Sequence, residues 1–214
     1  MRTLNFIDKL LTEADHAMRT TFAEPATTER PYPAKNISEA DTLSIAEREL
    51  SGRLMRVNHA GEVSAQGLYR GQALTAKLPA VRAEMERAAM EENDHLSWCE
   101  QRMLDLDTHK SLLNPLWYWA SFSIGAAAGA IGDKWSLGFV KETEEQVERH
   151  LDKHLAKLPV NDLPSMAVLQ QMKQDEIRHG EMAAQAGGTT LPWPVRKVLM
   201  PAISKVMTTS AYRI

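Results

Sequence analysis

Residues 92–95 read Glu-Asn-Asp-His and residues 176–179 read Glu-Ile-Arg-His, and these two stretches decide the predicted fold of this chain of 214 residues. Each is a Glu-x-x-His motif. Residues three apart on a helix lie on one face, so the Glu and the His of each motif can hold one metal ion together. A single such motif is weak evidence because it often arises by chance. Two of them indicate a metal site if both point into the protein.

Helical periodicity places both motifs on apolar faces. The face of Glu92 and His95 otherwise carries Val81, Met85, Ala88, Leu96, Cys99 and Met103, and that of Glu176 and His179 carries Leu169, Met172, Ala183 and Ala186. An ionised carboxylate on such a face is costly unless a partner such as a cation neutralises it. Glu91 shares its own face with charged residues, which predicts solvent exposure, and the neighbouring Asp175 falls on the polar side opposite the apolar stripe.

A bundle that binds two metal ions needs one further inward Glu from each of two other helices. Glu62 shares its face with Met55, Ala65, Tyr69 and Ala73. On the later helix Glu144 aligns with an apolar stripe, whereas Glu145 aligns with a charged one. We therefore choose Glu144, with Glu148 as the second choice. The order becomes Glu, Glu-x-x-His, Glu, Glu-x-x-His, and Glu92 follows Glu62 by 30 residues while Glu176 follows Glu144 by 32. This repeat predicts a pseudo-two-fold site.

The predicted donors are oxygen and nitrogen atoms, which suit iron or manganese. Four carboxylates balance the charge of two divalent cations, and iron is preferred because it can pass electrons to O₂. The lone cysteine, Cys99, excludes an internal disulfide and any cysteine-rich zinc or iron–sulfur site. The formal net charge of −3 argues against a general nucleic-acid partner. The N-terminus lacks the apolar core of a secretory signal, so we expect a reducing cytoplasm.

Apolar residues recur every three or four positions, which predicts an all-α chain folded as a four-helix bundle. We expect residues 1–37 to form an amphipathic helix and a Pro-rich linker. Residues 38–214 are expected to form the di-metal domain with a basic C-terminal tail. Ser38 is the predicted N-cap of the first long helix. Asp133 is the predicted cap of the helix that carries Glu144, and Asp162 with Pro164 is predicted to begin the helix that carries Glu176.

Two features predict contact with a membrane. Residues 111–132 contain no charged side chain, and four of the five tryptophans lie in the second half of the chain. Residues 182–214 contain no acidic residue, so this basic tail can lie on anionic lipid. Polar and glycine interruptions make 111–132 a poor spanning segment, and we expect peripheral attachment. The alternative is a core helix followed by a helix docked on the bundle.

The stretch from Arg56 to Glu62, the two Glu-x-x-His helices and the Glu144-Glu145 pair together resemble the demethoxyubiquinone hydroxylase family. Its other name is 2-polyprenyl-3-methyl-6-methoxy-1,4-benzoquinone monooxygenase, and the resemblance covers about residues 40–214. It implies an all-α, ferritin-like four-helix bundle with additional N-terminal and membrane-facing helices. The metal ligands that it implies are the six reached above from periodicity, which are Glu62, Glu92, His95, Glu144, Glu176 and His179.

The resemblance also implies an activity, the O₂-dependent hydroxylation of the demethoxyubiquinone ring in ubiquinone biosynthesis. Two Fe ions per chain would serve as the cofactor and NADH as the electron source. The implied partners are a polyprenyl quinone and other ubiquinone-biosynthesis proteins, at the cytoplasmic face of the inner membrane, and a homo-oligomer is left open. Two alternatives are another ferritin-like metal protein, which oxidises iron or decomposes peroxide, and a non-catalytic quinone-binding scaffold.

Three further residues are candidates for a functional role, and each also has a purely structural interpretation. His59 lies three residues before Glu62 and is either its partner or a surface histidine. His150 either orients a ligand and handles protons or lies on the helix surface, and Tyr69 either passes electrons or packs in the core. Animal members of the family carry His-His-Tyr after the third-helix ligand, whereas here the run is Arg-His-Leu over residues 149–151, which keeps the histidine and lacks the tyrosine.

Overall fold

The structure is a computed structural model that describes residues 5–23, 30–38 and 43–214. Within those ranges the chain is all-α, and no strand occurs. The elements in order are α1 (Phe6–Phe22), α2 (Ile45–Thr75), α3 (Pro79–Asp105), α4 (Asn114–Ile131), α5 (Asp133–Leu155), α6 (Leu163–Gln185), a π-helical turn (Val195–Leu199) and α7 (Met200–Ala211). The predicted all-α, ferritin-like bundle is confirmed. Part of the predicted N-terminal linker, residues 24–29, lies outside the described residues.

The first long helix begins later than predicted. Its N-cap is Ser44, whose hydroxyl accepts a hydrogen bond from the backbone N–H of Glu47, while the Glu47 carboxylate reaches back to the N–H of Ser44. The helix itself starts at Ile45, so its cap is Ser44 and not Ser38. The prediction of Ser38 as N-cap is therefore wrong.

Two aspartates at predicted helix starts behave differently. Asp162 caps α6 by accepting from the backbone N–H of Ser165, as predicted. Asp133 is the first residue of α5 rather than its cap. Its carboxylate accepts from the backbone N–H groups of Lys77 and Leu78 at 3.0 and 2.9 Å, and it therefore satisfies the start of α3. The prediction that Asp133 caps its own helix is wrong, because its carboxylate is taken by a neighbour that is distant in sequence.

Helices α2, α3, α5 and α6 form the bundle, with α2 packed on α3 and α5 packed on α6. Helix α4 lies against the outside of α2, where glycines allow the two backbones to touch. A side-chain carbon on Gly125 would overlap the carbonyl oxygen of Leu68, and one on Gly71 would overlap that of Phe122. The glycine- and alanine-rich run in α4 therefore lets α4 and α2 approach closely.

The remaining helices cover the outside of the bundle. Helix α1 packs through the buried Ala17 against Val63, Leu96 and Tyr118, and α7 packs through Ala211 against Val57 and Ala60. In the described parts of the chain, no helix combines the length and the apolar character that crossing a bilayer requires.

Candidate metal centre

The structure brings the six predicted ligands to one place inside the bundle. Helices α2 and α5 contribute one glutamate each, and α3 and α6 contribute one Glu-x-x-His pair each. All six side chains are buried, with at most 3% of any residue exposed. They are Glu62, Glu92, His95, Glu144, Glu176 and His179. The six residues chosen by periodicity are thus all buried, and of the two choices on α5 Glu144 is buried whereas Glu148 is partly exposed.

The two imidazoles face the same pair of carboxylates. The Nδ1 atom of His95 lies 2.8 Å from Oε2 of Glu92, 3.4 Å from Oε1 of Glu176 and 3.5 Å from Oε2 of Glu62. The Nδ1 atom of His179 lies 3.4 Å from both Oε1 of Glu92 and Oε2 of Glu176. Glu92 and Glu176 thus lie between the two histidines. Glu62, Glu92, His95 and Glu176 offer ligand atoms that all lie within 4.8 Å of one another.

The donor atoms in this cluster suit a bound cation. Both carboxylate oxygens of Glu92, Oε2 of Glu176 and Nδ1 of both histidines are buried, and within the described chain they lack a hydrogen-bond partner of good geometry. Buried polar atoms are rarely left unsatisfied in proteins, so a group of them around one point indicates a missing ligand. The set of carboxylates and imidazoles, without a thiolate, is one that iron and manganese favour.

The electrostatics of the cluster favour positive charge at its centre. Burial alone would lower the pKa of His179, but Glu176, Glu91 and Glu92 outweigh burial and raise it to about 12. The pKa of His95 is also raised well above its usual value, because the carboxylates around it outweigh the effect of burial. The negative charge that raises these two pKa values is the same charge that would attract metal cations.

The outer nitrogen of each histidine is held by an acidic residue of the other motif. The Nε2 atom of His95 lies 3.1 Å from Oδ2 of Asp175, and Nε2 of His179 lies 2.6 Å from Oε2 of Glu91. Such a carboxylate fixes the ring orientation and leaves Nδ1 as the metal-binding atom. The arrangement is reciprocal, because each acidic residue directly precedes the glutamate of the opposite motif.

These two carboxylates correct the sequence interpretation. Glu91 was predicted to face solvent and Asp175 to lie on a polar side, yet both residues are buried, with 8% and 5% exposed. In a bundle the flanks of an inward stripe face the neighbouring helices, so a residue next to the stripe is covered by them rather than by water. A signal was present: both motifs carry an acidic residue directly before the glutamate.

Tyr69 and His59 take specific positions near the cluster. The Tyr69 hydroxyl donates a hydrogen bond to Oε1 of Glu144, so this buried tyrosine contacts a candidate ligand directly. His59 is fully buried rather than on the surface. Its Nε2 lies 3.2 Å from Oε1 of Glu100 and its Nδ1 lies 3.3 Å from Nδ2 of Asn114. These two contacts of His59 lie on α3 and α4.

His150 is not on a solvated helix surface. Its ring lies 3.9 Å from that of His154, and its Nε2 is buried without a hydrogen-bond partner in the described structure. Burial, together with Lys153 and Lys157, lowers the pKa of His150 to about 4. The imidazole is therefore neutral at pH 7.

An apolar cavity of about 200 Å³ connects the cluster to the outer helices. Glu62, Glu144 and Glu176 lie at its inner end, and His150 lies on its wall. Its other walls come from α2, α4, α5 and α7. They include Trp117, Ile124, Phe139, Val147, Met200 and Met207. The cavity can therefore place an apolar ring compound directly against the candidate metal ligands.

Comparison with known proteins identifies the family of this chain. The family model described as "Ubiquinone biosynthesis protein COQ7" matches residues 49–211. The chain belongs to this family. The matched region runs from the first turns of α2 to the end of α7 and contains all six residues of the cluster, whereas α1 and residues 30–38 precede it.

Curated relatives match over nearly the full chain. A protein of Nitrosococcus oceani is 56% identical over 211 residues, which are 99% of this chain and 98% of that protein. One of Acinetobacter baylyi is 53% identical over 214 residues and covers both chains completely. One of Pseudomonas fluorescens is 56% identical over 208 residues, 97% of this chain and 96% of that protein. All three are named 3-demethoxyubiquinol 3-hydroxylase.

Proposed function

We propose that this chain hydroxylates the ring of 3-demethoxyubiquinol with O₂ at a di-iron carboxylate centre. The observation that carries the proposal is the convergence of six buried side chains from four helices at the inner end of an apolar cavity. Family membership and the names of the relatives point to the same reaction. A metal protein that only oxidises iron, or decomposes peroxide, has no need of a ring-sized apolar cavity that ends on its ligands.

The residues divide naturally between two ions. Glu62 lies beside His95, and Glu92 and Glu176 lie between the two histidines. Together with Glu144 and His179, these residues would hold the two ions. When bound, the two iron ions supply the electrons and the Lewis acidity that reaction with O₂ requires. NADH is the proposed source of those electrons.

The chain's own residues prepare the substrate and the ligands. The cavity walls are largely apolar and exclude water from the ring, which protects the reaction from side reactions. His150 is neutral and its Nε2 has no partner in the described structure, so it can accept a hydrogen bond from a hydroxyl group of the quinol ring. The hydroxyl of Tyr69 holds the Glu144 carboxylate in position.

We propose peripheral attachment to the cytoplasmic face of the inner membrane. The C-terminal tail bears exposed apolar side chains, among them Trp193, Leu199 and Val206, and it contains basic residues without an acidic one after Glu181. Helix α7 of this tail also lines the cavity. A polyprenyl substrate could therefore enter from the bilayer without crossing water. Other proteins of ubiquinone biosynthesis, and further copies of this chain, are proposed partners on that surface.

The test combines metal content with turnover. Anaerobic reconstitution with ferrous iron is expected to give two irons per chain, and the reduced protein with O₂ is expected to convert a short-tail demethoxyubiquinol into the hydroxylated product. Glu92→Ala removes a carboxylate that lies between both histidines and is expected to abolish both results. Glu84→Ala, on the exposed side of the same helix, is the matched control and should retain them. A Glu92→Ala protein with two irons and normal turnover would overturn the proposal.

A further inference from the structure

Arg30 belongs to the segment before the region matched by the family model, yet it reaches into the bundle beside the metal cluster. Its Nε donates to Oδ2 of Asp94 at 2.8 Å, and its Nη1 donates to Oδ2 of Asp175 at 2.7 Å. The guanidinium group lies 4.8 Å from the centre of the Trp98 ring. The segment itself is anchored, because Ala34 is buried in the main hydrophobic core and Tyr32 packs against the same core.

The contact with Asp175 joins Arg30 to a candidate metal ligand. Oδ2 of Asp175 is the same oxygen that lies 3.1 Å from Nε2 of His95. The other oxygen of Asp175 accepts from Arg178 at 3.1 Å and from Gln171 at 3.4 Å. One carboxylate oxygen therefore binds both the guanidinium group of Arg30 and the imidazole whose Nδ1 faces the cluster. Among the described contacts of that oxygen, removing Arg30 would leave the one with the imidazole.

On the other side of the pseudo-two-fold site, the carboxylate equivalent to Asp175 is contacted by different arginines. Glu91, which holds His179, contacts Nε of Arg87 at 2.8 Å and Nη2 of Arg178 at 3.0 Å. Both of those arginines come from the bundle helices α3 and α6. Among the described residues, the contacts on the His179 side come from the bundle helices, whereas the His95 side also takes a guanidinium group from the N-terminal segment.

We propose that Arg30 is a positioning residue for the metal centre and acts on His95 through Asp175. It holds the Asp175 carboxylate aimed at Nε2 of His95, which fixes the ring and leaves Nδ1 for the metal. The proposal rests on the di-iron centre proposed above. It assigns to a residue outside the family-matched region a part in metal binding on the His95 side of the site.

The test measures iron affinity in the full-length protein. Anaerobic titration with ferrous iron is expected to show about tenfold weaker binding at one of the two sites in Arg30→Gln, since changing a residue that orients a ligand costs about 10–100-fold. Arg30→Lys keeps the charge but loses the planar fork, and is expected to recover part of the loss. Arg19→Gln, which removes an exposed ion pair with Asp15 on α1, is the matched control and should bind iron like the original chain.

Asp175→Asn separates positioning from a merely structural role. In that background Arg30→Gln should change iron affinity less than twofold, because the residue through which Arg30 acts is already altered. Mössbauer spectra of the ⁵⁷Fe-loaded Arg30→Lys protein should show one iron environment changed and the other unchanged.

The proposal is overturned if Arg30→Gln and Arg30→Lys bind both irons normally while the original chain holds two. It is also overturned if Arg30→Gln weakens iron binding equally in the presence and absence of Asp175. An original chain that binds no iron would instead refute the proposed function. If Arg30→Gln does not fold, the Arg30→Lys titration and spectra decide the question.

Discussion

Replacing Glu91 by glutamine tests whether the carboxylate behind His179 supports metal binding. The hydrogen bond from His179 lowers the pKa of Glu91 to about 2 from 4.5, against burial and with the help of Arg87. A pKa shift of this size corresponds to about 3 kcal/mol of favourable interaction between the ionised carboxylate and its surroundings. Since the group keeps some contact with solvent, we halve this figure to about 1.5 kcal/mol. For the effect on metal affinity we take the lower end of the range observed for residues that orient a metal-binding histidine, about tenfold.

The assay is anaerobic titration of the metal-free protein with ferrous iron. Glu91→Gln should bind one of its two irons about tenfold more weakly, because the neutral amide no longer holds the Nε2 proton of His179 with a full charge. Glu84→Gln, on the exposed part of the same helix, should match the original chain. If Glu91→Gln binds both irons as tightly as Glu84→Gln, the proposed role of the His179–Glu91 pair is wrong.

Three other substitutions test the cavity wall, the packing of α4 and the membrane surface. The pKa of His150 is lowered in the fold, so its contribution to stability is present above pH 6.5 and declines as the pH falls towards about 4. Between pH 7 and pH 4, the free energy of unfolding of His150→Gln, measured in urea, should therefore fall by about 2 kcal/mol less than that of the unsubstituted protein. An equal fall in both proteins would contradict this. Gly125→Ala forces a side chain onto the Leu68 carbonyl and should destabilise the protein by about 1–3 kcal/mol in thermal unfolding, whereas Ala127→Leu on the exposed side should not. Trp193→Glu should reduce co-sedimentation with anionic vesicles severalfold. Leu104→Glu, which changes an exposed residue of α3, should not reduce it. If both variants bind the vesicles equally well, the tail is not the membrane contact.

Periodicity predicted the inward residues well because each helix fixes the angular position of its own side chains. Residues three apart share a face whatever surrounds the helix, so Glu92 with His95 and Glu176 with His179 were identifiable from spacing alone. The apolar neighbours of Glu144 likewise distinguished it from Glu145. The same reasoning identified Asp162 as a helix start, since its carboxylate binds a backbone N–H three residues later.

Features that depend on a second helix were missed. The carboxylate of Asp133 binds the start of α3, more than fifty residues earlier, and no local pattern indicates such a contact. Glu91 and Asp175 were assigned to polar sides because spacing says nothing about which neighbouring helix covers a flank. His59 and His150 had equally plausible surface positions by sequence, and only the packing of α4 and of the cavity wall resolves them.

The central claim is that two metal ions are held by the same six side chains, and anomalous diffraction at the iron edge tests it most directly. Crystals of the iron-loaded protein should show two peaks inside the bundle. Glu92 and Glu176 should contact both peaks, His95 and Glu62 one of them, and His179 and Glu144 the other. A single peak, a peak outside the bundle, or a Glu144 turned away from the metal would contradict the account.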